Sequence, residues 1–159
     1  MNTKKIVIFT DLDGSLLNRD NFEFLIIKNY IKKLLSNGIF IIPNSSKTKF
    51  EIKNFNDELG EKLPYIVENG AAIYNLNFLN SNFPEKISLS REKDEILKIF
   101  VNEIPSELIS KCKFVEKLSE ETQSKIFGLH KVKLKNALKR EYTIPFLFEG
   151  DKSEKSRLT

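Results

Sequence analysis

The feature that most restricts how this chain can fold is an alternation in its first 70 residues. Three apolar, strand-like runs (residues 5–10, 39–43 and 65–67) are separated by two segments of helical periodicity. Lys5-Ile6-Val7-Ile8-Phe9-Thr10 is almost continuously apolar and β-branched, the pattern of a strand covered on both faces. Residues 22–36 repeat apolar side chains at helical spacing through Phe24, Ile27, Ile31, Leu34 and Leu35, and Asn37-Gly38 closes the segment. Residues 47–59 read as a second helix stopped by Gly60. Strand, helix, strand, helix, strand predicts an α/β fold built on a parallel sheet with right-handed crossovers. Such sheets bind ligands beyond the carboxyl ends of their strands. The residues at those ends are polar: Asp11 and Asp13, Ser45 to Thr48, and Glu68-Asn69. They are expected to meet along one edge.

The second half has a different character. Residues 71–74 and 87–89 read as short strands, and the Asn-rich stretch 75–82 reads as a linker. Helices are expected at 91–103, 106–117, 119–127 and 132–139, with Ser119 as N-cap of the third. Residues 143–148 read as a strand that starts at an edge, because Pro145 cannot donate to a ladder. The expected organisation is therefore 1–75 and 76–159.

Composition excludes several classes. No stretch approaches the roughly 18 apolar residues that span a bilayer. The N-terminus, Met1-Asn2-Thr3-Lys4-Lys5, lacks the apolar core of a signal peptide, so a cytoplasmic location and no membrane partner are expected. The net charge of +4 comes from lysines mixed with Glu and Asp along the helices, a solvated surface rather than a nucleic-acid stripe. The single cysteine, Cys112, rules out an internal disulfide, and no His or Asp motif frames it as a nucleophile. The single histidine, His130, follows Gly128-Leu129 and reads as a loop residue. The 13 phenylalanines read as core.

Asp11-Leu12-Asp13-Gly14-Ser15 carries the sharpest chemical signal. Carboxylates two residues apart on an extended backbone project to one side and repel unless a cation lies between them. A hard divalent ion with oxygen ligands, Mg²⁺ above all, suits the pair. A carboxylate at a strand tip can also attack phosphorus, and its neighbour can protonate the leaving oxygen and then activate water. The competing reading is a turn with Asp as a helix cap; the strand before the motif and the helix after it favour the chemical one. At the second tip, Ser45 can donate to a phosphoryl oxygen and Lys47 can add positive charge. A plain Ser/Thr N-cap explains that segment equally well.

These segments resemble a known family. Residues 9–17, Phe-Thr-Asp-Leu-Asp-Gly-Ser-Leu-Leu, are similar to the first motif of the haloacid dehalogenase superfamily. Ser45-Ser46-Lys47-Thr48 resembles the second motif of its mannosyl-3-phosphoglycerate phosphatase branch, and residues 68–74 and 140–145 resemble the entry to that branch's cap and a motif within the cap. The resemblance implies a Rossmann-like core with an inserted α/β cap, a Mg²⁺ cofactor, and hydrolysis of a phosphate monoester on a mannosyl- or glucosyl-3-phosphoglycerate. It implies Asp11 as nucleophile and metal ligand. Asp13 becomes the general acid/base, binding metal through its carbonyl, and Ser45 holds the phosphoryl group. Lys47 and Arg140 become substrate contacts. Ser15 and Ser45 stand where threonine is commoner, and each keeps the hydroxyl.

The family's third and fourth motifs, a lysine and a Gly-Asp pair, lie after the cap and are expected beyond Thr159. Both core and cap are therefore expected to be incomplete, with an unpaired sheet edge and weak activity. Gly150-Asp151 follows the cap motif too closely to be the fourth motif and reads as a turn of the cap. The alternatives are a non-catalytic or decayed chain and a phosphatase of another sugar phosphate, such as sucrose phosphate.

Overall fold

The computed structural model describes residues 6–19 and 21–158. Lys5, at the start of the first expected strand, and Thr159 lie outside them. The chain forms two compact units, one ending at Ser90 and the other beginning at Arg91.

In the first unit, β1 (Val7–Thr10) leads through α1 (Leu25–Ser36) to β2 (Phe40–Pro43), then through α2 (Lys49–Leu59) to β3 (Tyr65–Val67). β1 and β2 are parallel, in register from Val7 with Phe40 to Thr10 with Pro43. A parallel bridge between Asn44 and Ile66 joins the end of β2 to β3. β4 (Ala72–Tyr74) then pairs antiparallel with β3, and β5 (Lys86–Ser88) pairs antiparallel with the far side of β4. The Asn-rich stretch connects β4 to β5 through a short 3₁₀ turn at Leu76–Phe78, tied at its start by the Asn75 N–H donating to the Glu85 carbonyl at 2.7 Å.

Local chemistry explains where the helices begin and end. α1 starts three residues later than its periodicity suggests, because Phe22 takes a left-handed φ of 59° that no helix can include. α2 starts behind Thr48 with a capping box: the Thr48 side chain accepts from the Glu51 N–H, and the Glu51 carboxylate accepts from the Thr48 N–H. It ends at Gly60, whose φ of 78° lets its N–H turn back to the Asn56 carbonyl at 2.9 Å. Ile31, Ile52, Phe55 and Leu59 face inward from the two helices and meet Ile41, Ile42 and Val67 of the strands in the core. Each such side chain contributes about 1.5–3 kcal/mol by leaving water. β1 is less covered: Val7 is 43% exposed and Phe9 62%. Among the described residues it pairs with β2 alone.

The second unit contains α3 (Lys93–Glu103), the short α4 (Ser106–Ile109), β6 (Cys112–Phe114), α5 (Glu120–Phe127), α6 (Lys131–Leu138), β7 (Phe146–Phe148) and α7 (Lys152–Ser156). The single helix expected over 106–117 is broken. Its middle becomes β6, which pairs antiparallel with β7 from Cys112 with Phe148 to Phe114 with Phe146. The rings of Phe100, Phe114 and Phe146 cluster with centroids 5.6–6.3 Å apart, so the strand's gain lies in packing distant in sequence. Ser119 caps α5 as expected, accepting from the Thr122 N–H at 3.3 Å. Asp151 caps α7 in a second capping box with Glu154. A Cβ at Gly150 beside it would lie 2.3 Å from the Phe148 ring, so a larger residue there would displace that side chain. Among the described residues no helix is long and apolar enough to cross a membrane.

Candidate active site

Asp11 follows β1 directly and is exposed. Its Oδ1 accepts from the Leu12 N–H at 2.7 Å, which fixes the carboxylate against its own turn. The chain then closes a tight loop. Leu17 N–H donates to the Leu12 carbonyl at 2.7 Å, Gly14 N–H to the Leu17 carbonyl at 2.9 Å, and Gly14 takes a φ of 76°. Leu12 is fully buried and anchors the loop, while Asp13 emerges half-buried beside α2.

Asp13 meets Lys47. The Lys47 ammonium lies 3.0 Å from Asp13 Oδ1 and 3.7 Å from Glu51 Oε1, one helical turn along α2. It also sits 4.8 Å from the centre of the Phe22 ring. The Asp13 contact is an ion pair rather than an aligned hydrogen bond, and Asp13 Oδ1 is buried without one. Lys47, expected to meet substrate, is thus engaged by two carboxylates of its own chain.

Ser45 sits at the end of β2 and is buried. Its Oγ accepts from the Lys47 N–H at 3.3 Å, which leaves the hydroxyl hydrogen to be donated. Its backbone is tied on both sides: the Ser45 N–H donates to the Ile66 carbonyl at 3.2 Å, and the Asn69 N–H donates to the Ser45 carbonyl at 3.1 Å. The start of α2 behind it is occupied by its own capping box, with Thr48 as the cap, so the N-cap reading of this segment holds at Thr48.

Asp11, Asn44, Ser45, Ser46, Asn69 and Gly70 line one cleft of about 460 Å³. Asp13 opens on a neighbouring cleft that runs through Gly14 and Asn18 to Ile27. The three polar strand tips therefore do converge at Asp11, Ser45 and Asn69. Ser46 belongs to the second-tip motif, whereas Asn44 stands outside it; its position directly before Ser45 at a strand tip is the available signal. Arg140 lies in the second unit. Its guanidinium donates to Thr143 Oγ1 at 2.8 Å and stands 5.9 Å from the Phe127 ring centre.

The donors at the strand tips are all oxygen: an exposed carboxylate at Asp11, and at Asp13 a carbonyl and a buried carboxylate oxygen without an aligned donor. That set fits Mg²⁺, which takes one or two carboxylates and keeps several waters. Among the described residues no group of three or more metal-ligating side chains forms. Cys112 is buried, and burial pushes its thiol above the usual range, the opposite of an activated nucleophile. The His130 ring contacts Ser124 Oγ at 2.6 Å, and that hydroxyl also donates to the Leu129 carbonyl at 2.7 Å, a local tie between α5 and α6.

Residues 8–156 match the haloacid dehalogenase-like hydrolase family. Over 158 residues, 94% of this chain, the sequence is 32% identical to a glucosyl-3-phosphoglycerate/mannosyl-3-phosphoglycerate phosphatase of Persephonella marina. It is 44% identical over 68 residues, 43% of this chain and 27% of the relative, to a mannosyl-3-phosphoglycerate phosphatase of Pyrococcus furiosus. The chain spans 58% of the length of the first of these relatives. In fold it is similar to a haloacid dehalogenase-like hydrolase from Bacteroides thetaiotaomicron, with a TM-score of 0.60 at 17% identity over 98% of this chain and 62% of that one.

Proposed function

The chain belongs to the haloacid dehalogenase-like hydrolases, and from that membership and the cleft at the end of β1 we propose that it is a phosphate-monoester hydrolase working through an aspartyl-phosphate on Asp11. The observation that carries this reading is the shared cleft, in which the exposed Asp11 carboxylate and the buried Ser45 hydroxyl line one space. An Asp11 oxygen attacks phosphorus, and the bond to the ester oxygen breaks. Asp13, as a carboxylic acid, gives the departing alkoxide its proton. Asp13, now a carboxylate, takes a proton from water, the water oxygen attacks phosphorus, and the bond to Asp11 breaks to release phosphate. Ser45 donates to a phosphoryl oxygen throughout. Mg²⁺, held by Asp11 and the Asp13 carbonyl, would supply positive charge to the phosphoryl oxygens.

The finer reading is that the substrate is a glucosyl- or mannosyl-3-phosphoglycerate, supported by the names of the similar proteins. Lys47 then acts by holding Asp13 rather than by touching substrate, supported by their 3.0 Å contact. Arg140 remains a candidate contact for the substrate's carboxylate, in a second unit that serves as the cap. The test is acid-quench trapping of radiolabelled enzyme after incubation with phosphate-labelled glucosyl-3-phosphoglycerate and Mg²⁺. An acid-stable, hydroxylamine-labile label that disappears in Asp11→Asn is expected. Label surviving in Asp11→Asn would overturn the assignment of the nucleophile.

A further inference from the structure

The turn after β3 has a backbone that needs explaining. Glu68, Asn69 and Gly70 take successive φ values of 48°, 62° and 95°, three left-handed residues in a row. For residues other than glycine each such position costs on the order of 1 kcal/mol and is held only where the surroundings enforce it. Here they do. The Glu68 N–H donates to the Lys47 carbonyl at 3.0 Å, the Asn69 N–H to the Ser45 carbonyl at 3.1 Å, and the Gly70 and Ala71 N–H groups to the Val67 carbonyl. Glu68 is 2% exposed, so its side chain is set inward. Asn69 is exposed and lines the cleft with Asp11 and Ser45.

Glycine would take the Asn69 backbone without strain. Asparagine tolerates it and brings a side-chain amide to the cleft, and among the described residues that amide has no protein partner. Among the described residues the lining holds no cationic side chain; its polar side chains apart from Asp11 are amides and hydroxyls. For a phosphoryl group above Asp11, these neutral donors are what the described lining offers to its oxygens.

Resting on the phosphatase reading above, we infer that Asn69 is a substrate-contact residue, its amide N–H donating to a phosphoryl oxygen over Asp11, and that the left-handed turn exists to aim it there. The Asn69 N–H bond to the Ser45 carbonyl ties the two backbones together, which keeps both residues on one cleft.

The test separates this from an asparagine that merely tolerates the backbone. Orthovanadate binding in the presence of Mg²⁺ is measured by calorimetry for the intact chain, Asn69→Gly and Asn69→Asp, beside urea unfolding of each. Asn69→Gly is expected to unfold at the same or higher urea and to bind vanadate roughly tenfold more weakly or worse, the loss that follows from removing one hydrogen bond to a charged group. Asn69→Asp keeps size and backbone tolerance but replaces the donor with a negative charge, and is expected to bind weaker still. Both variants binding vanadate as tightly as the unaltered chain would overturn the inference while leaving the phosphatase reading in place. An unaltered chain that takes up no vanadate would overturn both.

Discussion

Lys47 is the best place to test whether the site's charges are coupled as the structure shows. Its side chain is 13% exposed, and it is wedged between Asp13, 37% exposed, and Glu51, 11% exposed. At 3.0 and 3.7 Å, with an effective dielectric of about 20, each attraction is about 5 kcal/mol before desolvation and side-chain ordering are subtracted. Water reaching Asp13 reduces the net value of that pair to about 1 kcal/mol. Lys47→Met keeps the stem packed near Phe22 but leaves Glu51 in a confined place with no cation, so the total cost is about 1–3 kcal/mol. For a chain of this size that corresponds to a fall in Tm of about 2–10 °C. The assay is urea unfolding without added metal for the unaltered chain, Lys47→Met, Asp13→Asn and the double variant. A coupling of about 1 kcal/mol is expected between positions 13 and 47. Single effects that add to within about 0.3 kcal/mol would refute the reasoning, because the 3.0 Å contact would then carry no energy.

Two further outcomes follow from the helix caps. Thr48→Ala removes the acceptor for the Glu51 N–H at a fully buried position and should destabilise the first unit by about 1–2 kcal/mol, read as a lower urea midpoint. In the second unit the Lys111 ammonium beside Glu154, and then the Asp151 N–H, hold the Glu154 carboxyl below its usual range. A lowered folded-state value means that this contribution is present above the ordinary glutamate range and is lost as pH falls through the folded value. Glu154→Gln should therefore lower the unfolding midpoint at pH 7, and the difference from the unaltered chain should vanish in strong acid. An equal difference at both pH values would contradict the assignment.

Much of the first unit was legible because its signals are local. Continuous apolar runs marked β1, β2 and β3, and the β3 bounds were met at Tyr65–Val67. Gly60 marked the end of α2 because a left-handed cap favours glycine there. The break in the expected 106–117 helix was not legible. Residues 112–114 become a strand only because residues 146–148, more than 30 positions later, supply the hydrogen-bonding edge and the aromatic partners. Phe22 failed similarly: its side chain suits an amphipathic helix, and its left-handed backbone comes from the loop that closes around Asn18.

The same division holds at the site. From sequence alone came the identity of the groups: a carboxylate at the end of the first strand, a second carboxylate two residues on, a serine at the next tip and Glu68-Asn69 at the third. Those follow from chain direction in a parallel sheet, which puts every carboxyl end on one side. Which groups face one another was decided by tertiary structure. The two carboxylates line neighbouring clefts, Lys47 turns to Asp13, and the left-handed turn brings Asn69 to Ser45. Those are contacts between segments tens of residues apart, and they depend on loop backbone angles and side-chain burial that no local pattern encodes.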